Sequence, residues 1–254
     1  MFFKFALIFA VGTIAGFINV NAGGGSLITL PALIFMGLPS AVANGTNRIA
    51  VLVGALSATA TFRQKGIFNW KFGLGLAVPA IIGAIIGTHL VVSMPDRIFN
   101  MVLSAAMFVV LAIIIAQPRL KKIKFEGKLT LKKRIVTMAA FFLVGLYGGS
   151  IQAGVGFVII AVLTLITGLS LVRINALKVF IVLIYVIFSI AIFATRGKID
   201  IAMGIVLSAG SALGAYLGSN FAVKKGDKWI RVVLVIAVLA MAVKLSGILD
   251  FLWR

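Results

Sequence analysis

Long apolar runs, separated by short basic stretches, are the feature that most restricts how this chain folds. Hydrophobic residues make up 62% of the sequence. They gather in runs of about 20 residues, the length at which an α-helix crosses the hydrocarbon core of a bilayer. The period-two alternation of a membrane β-barrel is absent. The sequence therefore predicts an all-α, polytopic integral membrane protein of about eight to ten helical segments, whose N-terminal run is the first membrane helix rather than a signal peptide.

Basic residues dominate the charge, with 24 Lys and Arg against five acids and a net charge of +19. In a soluble protein this excess would suggest nucleic acid, but here most of the bases lie between apolar runs, as the positive-inside rule requires. The densest cluster, residues 119–134, is therefore predicted to be cytoplasmic. We expect a multi-pass protein of the cytoplasmic (inner) membrane with the lipid bilayer as a partner, no nucleic acid, and an oligomeric state left open.

Two halves of the chain match at a fixed offset of 131 positions. The matched pairs include seven pairs of glycines, one of asparagines and one of aspartates: Gly23/Gly154, Gly25/Gly156, Gly37/Gly168, Gly66/Gly197, Gly73/Gly204, Gly83/Gly214, Gly87/Gly218, Asn44/Asn175 and Asp96/Asp227. Agreement of such residues is not expected from an apolar composition alone. We interpret it as an internal duplication, with a first transmembrane repeat at 1–117, a basic linker at 118–134 and a second repeat at 135–254.

Each half is predicted to contain five helical pieces. They are 5–19, 26–36, 44–62, 71–92 and 97–116, followed by 135–150, 157–167, 173–194, 199–223 and 229–252. The second piece of each half is about a dozen residues long, which is too short to span a bilayer. Short, glycine-interrupted segments at matching positions are typical of discontinuous helices around a binding site. Inverted and parallel repeats both remain open, and we favour inverted repeats.

The first candidate site is the glycine-rich break of each half. In the first half it comprises Asn19, Asn21, Gly23, Gly24, Gly25 and Ser26, and in the second half Gln152, Gly154 and Gly156. Irregular backbone at membrane depth is tolerated where it is buried in protein or lines a cavity. Such a break frees backbone N–H groups, and the following helix directs its positive end at the gap, which suits an anion. The alternative is that these glycines only allow close helix packing.

The second candidate site opens a long helix in each half. Its residues are Asn44, Thr46, Asn47 and Arg48 in the first half, with Asn175 and Lys178 in the second. Residues three or four apart share a helix face, so each half presents an amide and a cation together. The alternative is that Arg48 and Lys178 extend to the membrane interface while the asparagines cap their helices.

The remaining polar residues exclude several classes of chemistry. The acids (Asp96, Glu126, Asp200, Asp227 and Asp250) fall at segment ends or in the linker, so a buried carboxylate for proton or sodium coupling is not expected. With no cysteine and one histidine, no metal site and no cofactor are predicted, and no catalytic residues stand out. The glycines spaced by four, such as Gly83/Gly87 and Gly210/Gly214/Gly218, indicate close helix crossing.

The motifs NAGGGSLITLP, GLP and ANGTN, with their degenerate second-half copies QAGVGF, GLS and INALK, resemble the sulfite exporter TauE/SafE family, also called the toluene sulfonate uptake permeases. The resemblance covers nearly the whole chain. It implies a cytoplasmic-membrane permease for small, often sulfur-containing anions. Its functional positions map onto the two candidate sites above.

The residues predict a secondary transporter that moves a small anion by alternating access, and the resemblance implies that this anion is sulfite or an organosulfonate. A passive anion channel lined by the same breaks is the alternative. An intramembrane enzyme is a third reading, but it lacks the buried acid, histidine or Ser–Lys pair that such chemistry needs.

Overall fold

Nine α-helices account for nearly all of the described chain, for which a computed structural model describes residues 2–67, 70–116 and 131–245. The helices are α1 (Phe2–Asn21), α2 (Ser26–Phe35), α3 (Ser40–Gln64), α4 (Trp70–Val91), α5 (Asp96–Ala116), α6 (Leu131–Ser150), α7 (Val155–Thr167), α8 (Leu171–Thr195) and α9 (Ile201–Leu245). No strand occurs within those residues. The predicted all-α membrane fold is confirmed.

The predicted helical pieces agree with the observed helices to within a few residues, with one difference. Pieces 199–223 and 229–252 follow each other directly in α9 and meet at Gly226, whose non-helical angles of φ 73° and ψ −170° separate two helices. The break therefore sits at one glycine instead of spanning five residues. Residues 118–130 of the predicted linker and 246–252 of the last predicted piece lie outside the described residues.

Four of the helices in the described part of the chain are long and apolar enough to cross a membrane, over Phe3–Asn21, Trp70–Val91, Leu171–Thr195 and Ile201–Val233. The chain is thus a multi-pass membrane protein. Helix α3 has 25 residues, the same length as α8, but carries several polar side chains inside the bundle, including Asn44, Asn47 and Arg48. Polar groups are tolerated there because they face protein instead of lipid.

The predicted short pieces are short helices. Helix α2 has 10 residues and α7 has 13, or about 15–20 Å of helix. Left-handed glycines recur at the matched positions: Gly23 and Gly154 (φ 88° and 73°), Gly37 and Gly168 (98° and 58°), and Gly66 and Gly197 (69° and 62°). Only glycine adopts these angles without strain. The recurrence fits the proposed duplication. The duplication, the bounds of the two halves and their inverted orientation stay predictions.

Helices of the two halves are exchanged in the bundle. Helix α1 packs along α9, and α6 packs along α4, so each half's first helix lies on the other half's fourth. Glycines make both crossings close. A Cβ on Gly214 would lie 1.9 Å from the carbonyl oxygen of Thr13, and one on Gly87 would lie 2.0 Å from that of Leu146. The predicted role of these glycines in helix packing is therefore observed.

Two matched aspartates, Asp96 and Asp227, accept hydrogen bonds from the N-terminal ends of α3 and α8. The carboxylate of Asp96 accepts a hydrogen bond from the backbone N–H of Ser40 at 3.0 Å, at the start of α3. The carboxylate of Asp227 accepts one from the backbone N–H of Val172 at 3.2 Å, at the start of α8. An anion at a helix N-terminus binds free N–H groups and opposes the positive end of the helix dipole. Each half's last helix thus holds its third helix in place.

Candidate functional site

Two small chambers lie at the glycine breaks, on either side of Asn19. The first chamber is lined by Ala15, Asn19, Gly25, Ser26, Thr29, Asn47, Ala50, Val51 and Ser211. The second chamber is lined by Asn19, Ala55, Gln152, Val155, Gly156, Lys178, Val179 and Val182. Each has a volume of about 10 Å³, which is room for one water molecule. Residues from both halves line each chamber.

Each chamber lies at the N-terminal end of one short helix. In the described part of the chain the backbone N–H groups of Gly24, Gly25 and Ser26, before and at the start of α2, have no acceptor. The same holds for the N–H of Gly156 in the first turn of α7. Unpaired N–H groups at the positive end of a helix favour an anion. Both breaks therefore carry free backbone donors, and anion binding at either of them stays a prediction.

Asn19 is the residue that the two chambers share. Its side chain is partly exposed and forms no hydrogen bond with any described residue. An unpaired amide offers two N–H donors and one carbonyl acceptor. Asn19 can therefore face an occupant of either chamber.

The second chamber contains a buried cation. Lys178 is 1% exposed, and its ammonium group donates to the carbonyl oxygens of Asn19 (2.8 Å) and Val20 (2.7 Å) and to the side chain of Asn175 (2.8 Å). Asn175 also donates to the carbonyl of Asn21 at 3.2 Å. Together Lys178 and Asn175 of α8 hold the C-terminal end of α1. We call this contact the second clamp.

Arg48 makes the corresponding contact from the first half. Its guanidinium donates to the carbonyls of Gly148 (3.1 Å), Gly149 (2.5 Å) and Ser150 (3.2 Å) at the C-terminal end of α6. Asn44 donates to the Ser150 carbonyl at 2.7 Å. This first clamp, made by Arg48 and Asn44 of α3, lies outside both chambers. The Arg48 guanidinium also sits 4.9 Å from the ring centre of Phe193 on α8.

No described carboxylate pairs with either buried cation. The negative C-terminal ends of α1 and α6 compensate part of each charge, since a helix end carries roughly half an elementary charge. A positive remainder is left in the core, where it is costly unless an anion is nearby. Of the two basic side chains, Lys178 lines the second chamber, whereas Arg48 lies outside both chambers.

Gln152 has the only left-handed backbone among the described residues other than glycine, at φ 64°. Its side-chain carbonyl accepts a hydrogen bond from the hydroxyl of Tyr185 at 3.1 Å. Strained backbone of this kind gathers at binding sites, where the surroundings hold it in place. Gln152 thereby presents its side chain to the second chamber.

The predicted site residues divide into two groups. Those that line a chamber are Asn19, Gly25, Ser26, Asn47, Gln152, Gly156 and Lys178, and those that do not are Asn21, Gly23, Gly24, Asn44, Thr46, Arg48, Gly154 and Asn175. The second group supports the architecture. For example, Thr46 accepts the backbone N–H of Asp200 at 2.9 Å, and Asn21 donates to the Gly218 carbonyl at 3.2 Å.

Sequence reasoning missed several lining residues, of which Thr29 and Ser211 are the polar ones. Thr29 lies one turn beyond Ser26 on α2 and donates to the side chain of Asn47 at 2.5 Å, so helical spacing from Ser26 was a usable signal. Ser211 lies in the small-residue stretch of α9, where no sequence signal separates it from a packing residue.

Comparison with known proteins places these features in a wider group. The sequence profile described as Sulfite exporter TauE/SafE matches residues 8–245. A probable membrane transporter protein of Haemophilus influenzae is 33% identical over 94% of this chain and 93% of its own length. The probable membrane transporter protein YfcA of Escherichia coli is 30% identical over 94% and 88%, and the ORF9 product of a Sinorhizobium species, with the same description, is 28% identical over 96% and 93%. No solved structure matches the chain.

Proposed function

This chain belongs to the sulfite exporter TauE/SafE family, and on that premise we propose that it is a secondary transporter that moves a small anion across the cytoplasmic membrane. The anion class is a sulfur oxyanion or organosulfonate, such as sulfite. The proposal includes no chemical step, since transport requires only that the substrate bind differently to two conformations.

One observation carries the choice of an anion: Lys178 is buried at the wall of a chamber without a carboxylate partner in the described residues. Its ammonium already donates to three oxygens, so its contribution to a substrate is charge. A carrier for a cation would place the opposite charge at this point. The unpaired N–H groups at the starts of α2 and α7 support the same sign of substrate.

The small size of the chambers supports alternating access. Sulfite, the smallest of the anions proposed here, has four heavy atoms, and neither chamber has room for more than about one water molecule. The substrate therefore requires the helices to separate on one side. A passive channel needs a continuous polar path, and two chambers of about 10 Å³ each do not by themselves supply one.

We further propose which parts move. Helix α3 packs on α1, α2 and α9, while α8 packs on α4, α6 and α7. The first unit therefore comprises α1, α2, α3 and the part of α9 before Gly226, and the second unit comprises α4, α6, α7 and α8. Each unit contains one helix from the opposite half of the sequence. The second chamber and the α3–α8 contact lie between the two units, whereas the first chamber is lined by the first unit alone. A rocking motion would therefore open the second chamber to either side in turn.

The test is uptake of radiolabelled sulfite, sulfate and methanesulfonate into proteoliposomes containing the full chain. We expect uptake of at least one of these anions by the wild type. Lys178→Met, which keeps an unbranched side chain of similar size but removes the ammonium group, should abolish that uptake.

Lys224→Met is the matched control, because Lys224 is an exposed lysine of α9 and should leave uptake unchanged. Both variants are compared at equal amounts of monodisperse protein. Equal uptake by Lys178→Met and the wild type for every anion would refute the proposed site. Single-channel currents from the wild type would favour the channel instead.

A further inference from the structure

Ser211 of α9 is a buried residue whose hydroxyl has no partner among the described residues. The residue is 8% exposed, lines the first chamber and forms no hydrogen bond with any described residue. Serines in membrane helices usually satisfy their hydroxyl on a carbonyl one turn earlier. Ser208 does so, donating to the Gly204 carbonyl at 2.6 Å. The hydroxyl of Ser211 is thus left for an occupant of the chamber.

Three glycines allow Ser211 to reach this position. A Cβ on Gly12 would lie 3.2 Å from the Ser211 backbone nitrogen, and one on Gly16 would lie 2.4 Å from its carbonyl oxygen. A Cβ on Gly54 of α3 would come within 2.5 Å of the Ser211 hydroxyl itself. Because Gly12, Gly16 and Gly54 carry no side chain, α9 approaches α1 and α3 closely enough for the Ser211 hydroxyl to reach the chamber wall.

The other polar groups of the first chamber are also neutral. The Ser26 hydroxyl accepts a hydrogen bond from the Asn47 side chain at 3.1 Å, so its own hydrogen remains available. The Asn19 amide is unpaired, and the N–H groups of Gly25 and Ser26 have no acceptor within the described chain. No Lys or Arg lines this chamber. Its donors come from hydroxyl, amide and backbone groups.

We propose that Ser211 donates a hydrogen bond to the transported anion and is a specificity-determining residue of the carrier. This inference rests on the proposed function. The residue 131 positions earlier is Ala80 of α4, which lacks a hydroxyl and packs against Gly145 of α6. The two chambers therefore differ in chemistry: Lys178 supplies charge to the second, and Ser211 supplies a directional donor to the first.

The experiment measures sulfite uptake by Ser211→Ala in proteoliposomes, together with the rise in unfolding temperature that sulfite produces in the detergent-solubilised protein. We expect KM for sulfite to rise about ten-fold, as the loss of a hydrogen bond to a charged group implies. The stabilisation by sulfite should fall, while the unfolding temperature without anion stays that of the wild type. If the role of Ser211 were purely structural, Ser211→Ala would instead lower the unfolding temperature measured without anion.

Ser208→Ala is the matched control, one turn earlier on the same helix, and should leave KM unchanged. Ser211→Gly removes the same hydroxyl with different packing and should raise KM equally. If Ser211→Ala and Ser208→Ala give the wild-type KM, Ser211 is not a ligand and the proposed function stands. If the wild type neither transports nor is stabilised by sulfite, sulfate or methanesulfonate, the proposed function fails, and this inference with it.

Discussion

Gly23 and Gly156 pack backbone against backbone: a Cβ built on Gly23 would lie 2.4 Å from the Cα of Gly156, and one on Gly156 would lie 2.3 Å from the Cα of Gly23. The two glycine breaks therefore touch each other at the centre of the bundle. Gly156 has no left-handed backbone angle, so the close approach alone requires glycine there.

Gly156→Ala should consequently destabilise the protein by about 1–3 kcal/mol through overpacking. The contact cannot relax easily, since the opposing atoms belong to backbone. Thermal unfolding in detergent measures this effect. Gly75→Ala is the control: a Cβ there meets nothing within 4 Å, and alanine in a helix interior should raise stability by up to about 1 kcal/mol. Equal unfolding temperatures for the two variants would contradict the backbone contact.

The first clamp leads to a prediction for Arg48. Arg48→Lys keeps the charge but loses the planar guanidinium that contacts three carbonyls, so two or more carbonyls at the end of α6 lose their donor. We expect destabilisation by about 1–3 kcal/mol. Arg63→Lys, an exposed position near the end of the same helix, should change stability by less than about 0.5 kcal/mol. If Arg48→Lys and Arg63→Lys changed the free energy of unfolding by a similar amount, the planar geometry of the Arg48 guanidinium would be unimportant for stability.

Most of the helices could be predicted from the sequence, because the length of each apolar run and the charged residues between runs can be read from local sequence. The ends of α7 and α8, for example, follow from Gly168 and Gly197, whose left-handed backbone stops a helix. The break at Gly226 was also predictable, because charged residues surround this glycine between two apolar runs and its backbone is non-helical.

The candidate site was predictable only in part. Asn19 and Lys178 stand out as polar residues in apolar runs, and both line a chamber. The partners of Arg48 lie 100 to 102 residues away on α6, so no local pattern reveals that its donors are directed at a helix end. Whether a serine bonds its own helix, as Ser208 does, or faces a cavity, as Ser211 does, depends on neighbouring helices.

Asp96 offers a test of how α3 is held. Asp96→Ala removes the acceptor for the Ser40 N–H and should cost about 1 kcal/mol, the usual effect of losing an N-terminal cap. Asp96→Asn keeps an acceptor oxygen at the same place and should recover most of that loss. Thermal unfolding of the two variants decides the matter. If Asn is as harmful as Ala, the negative charge matters more than the hydrogen bond.

The proposed moving units give the sharpest prediction. Ile49 of α3 lies across from Gly204 of α9, and a Cβ on Gly204 would be 3.9 Å from the Cβ of Ile49, a separation typical of disulfides. The chain has no native cysteine, so Ile49→Cys with Gly204→Cys yields one defined bridge between the two sequence halves. Both residues belong to the first unit.

We therefore expect the oxidised double variant to transport sulfite at a rate close to that of its reduced form, because the bridge joins parts that move together. The two single-cysteine variants control for the substitutions themselves. Bridge formation is checked by cleaving the chain between residues 119 and 134, since the two fragments then migrate together on a non-reducing gel only if the disulfide joins them. If oxidation stops uptake and a reductant restores it, α3 and α9 move relative to each other. The moving bodies would then be the two sequence halves, and the exchanged units proposed above would be wrong.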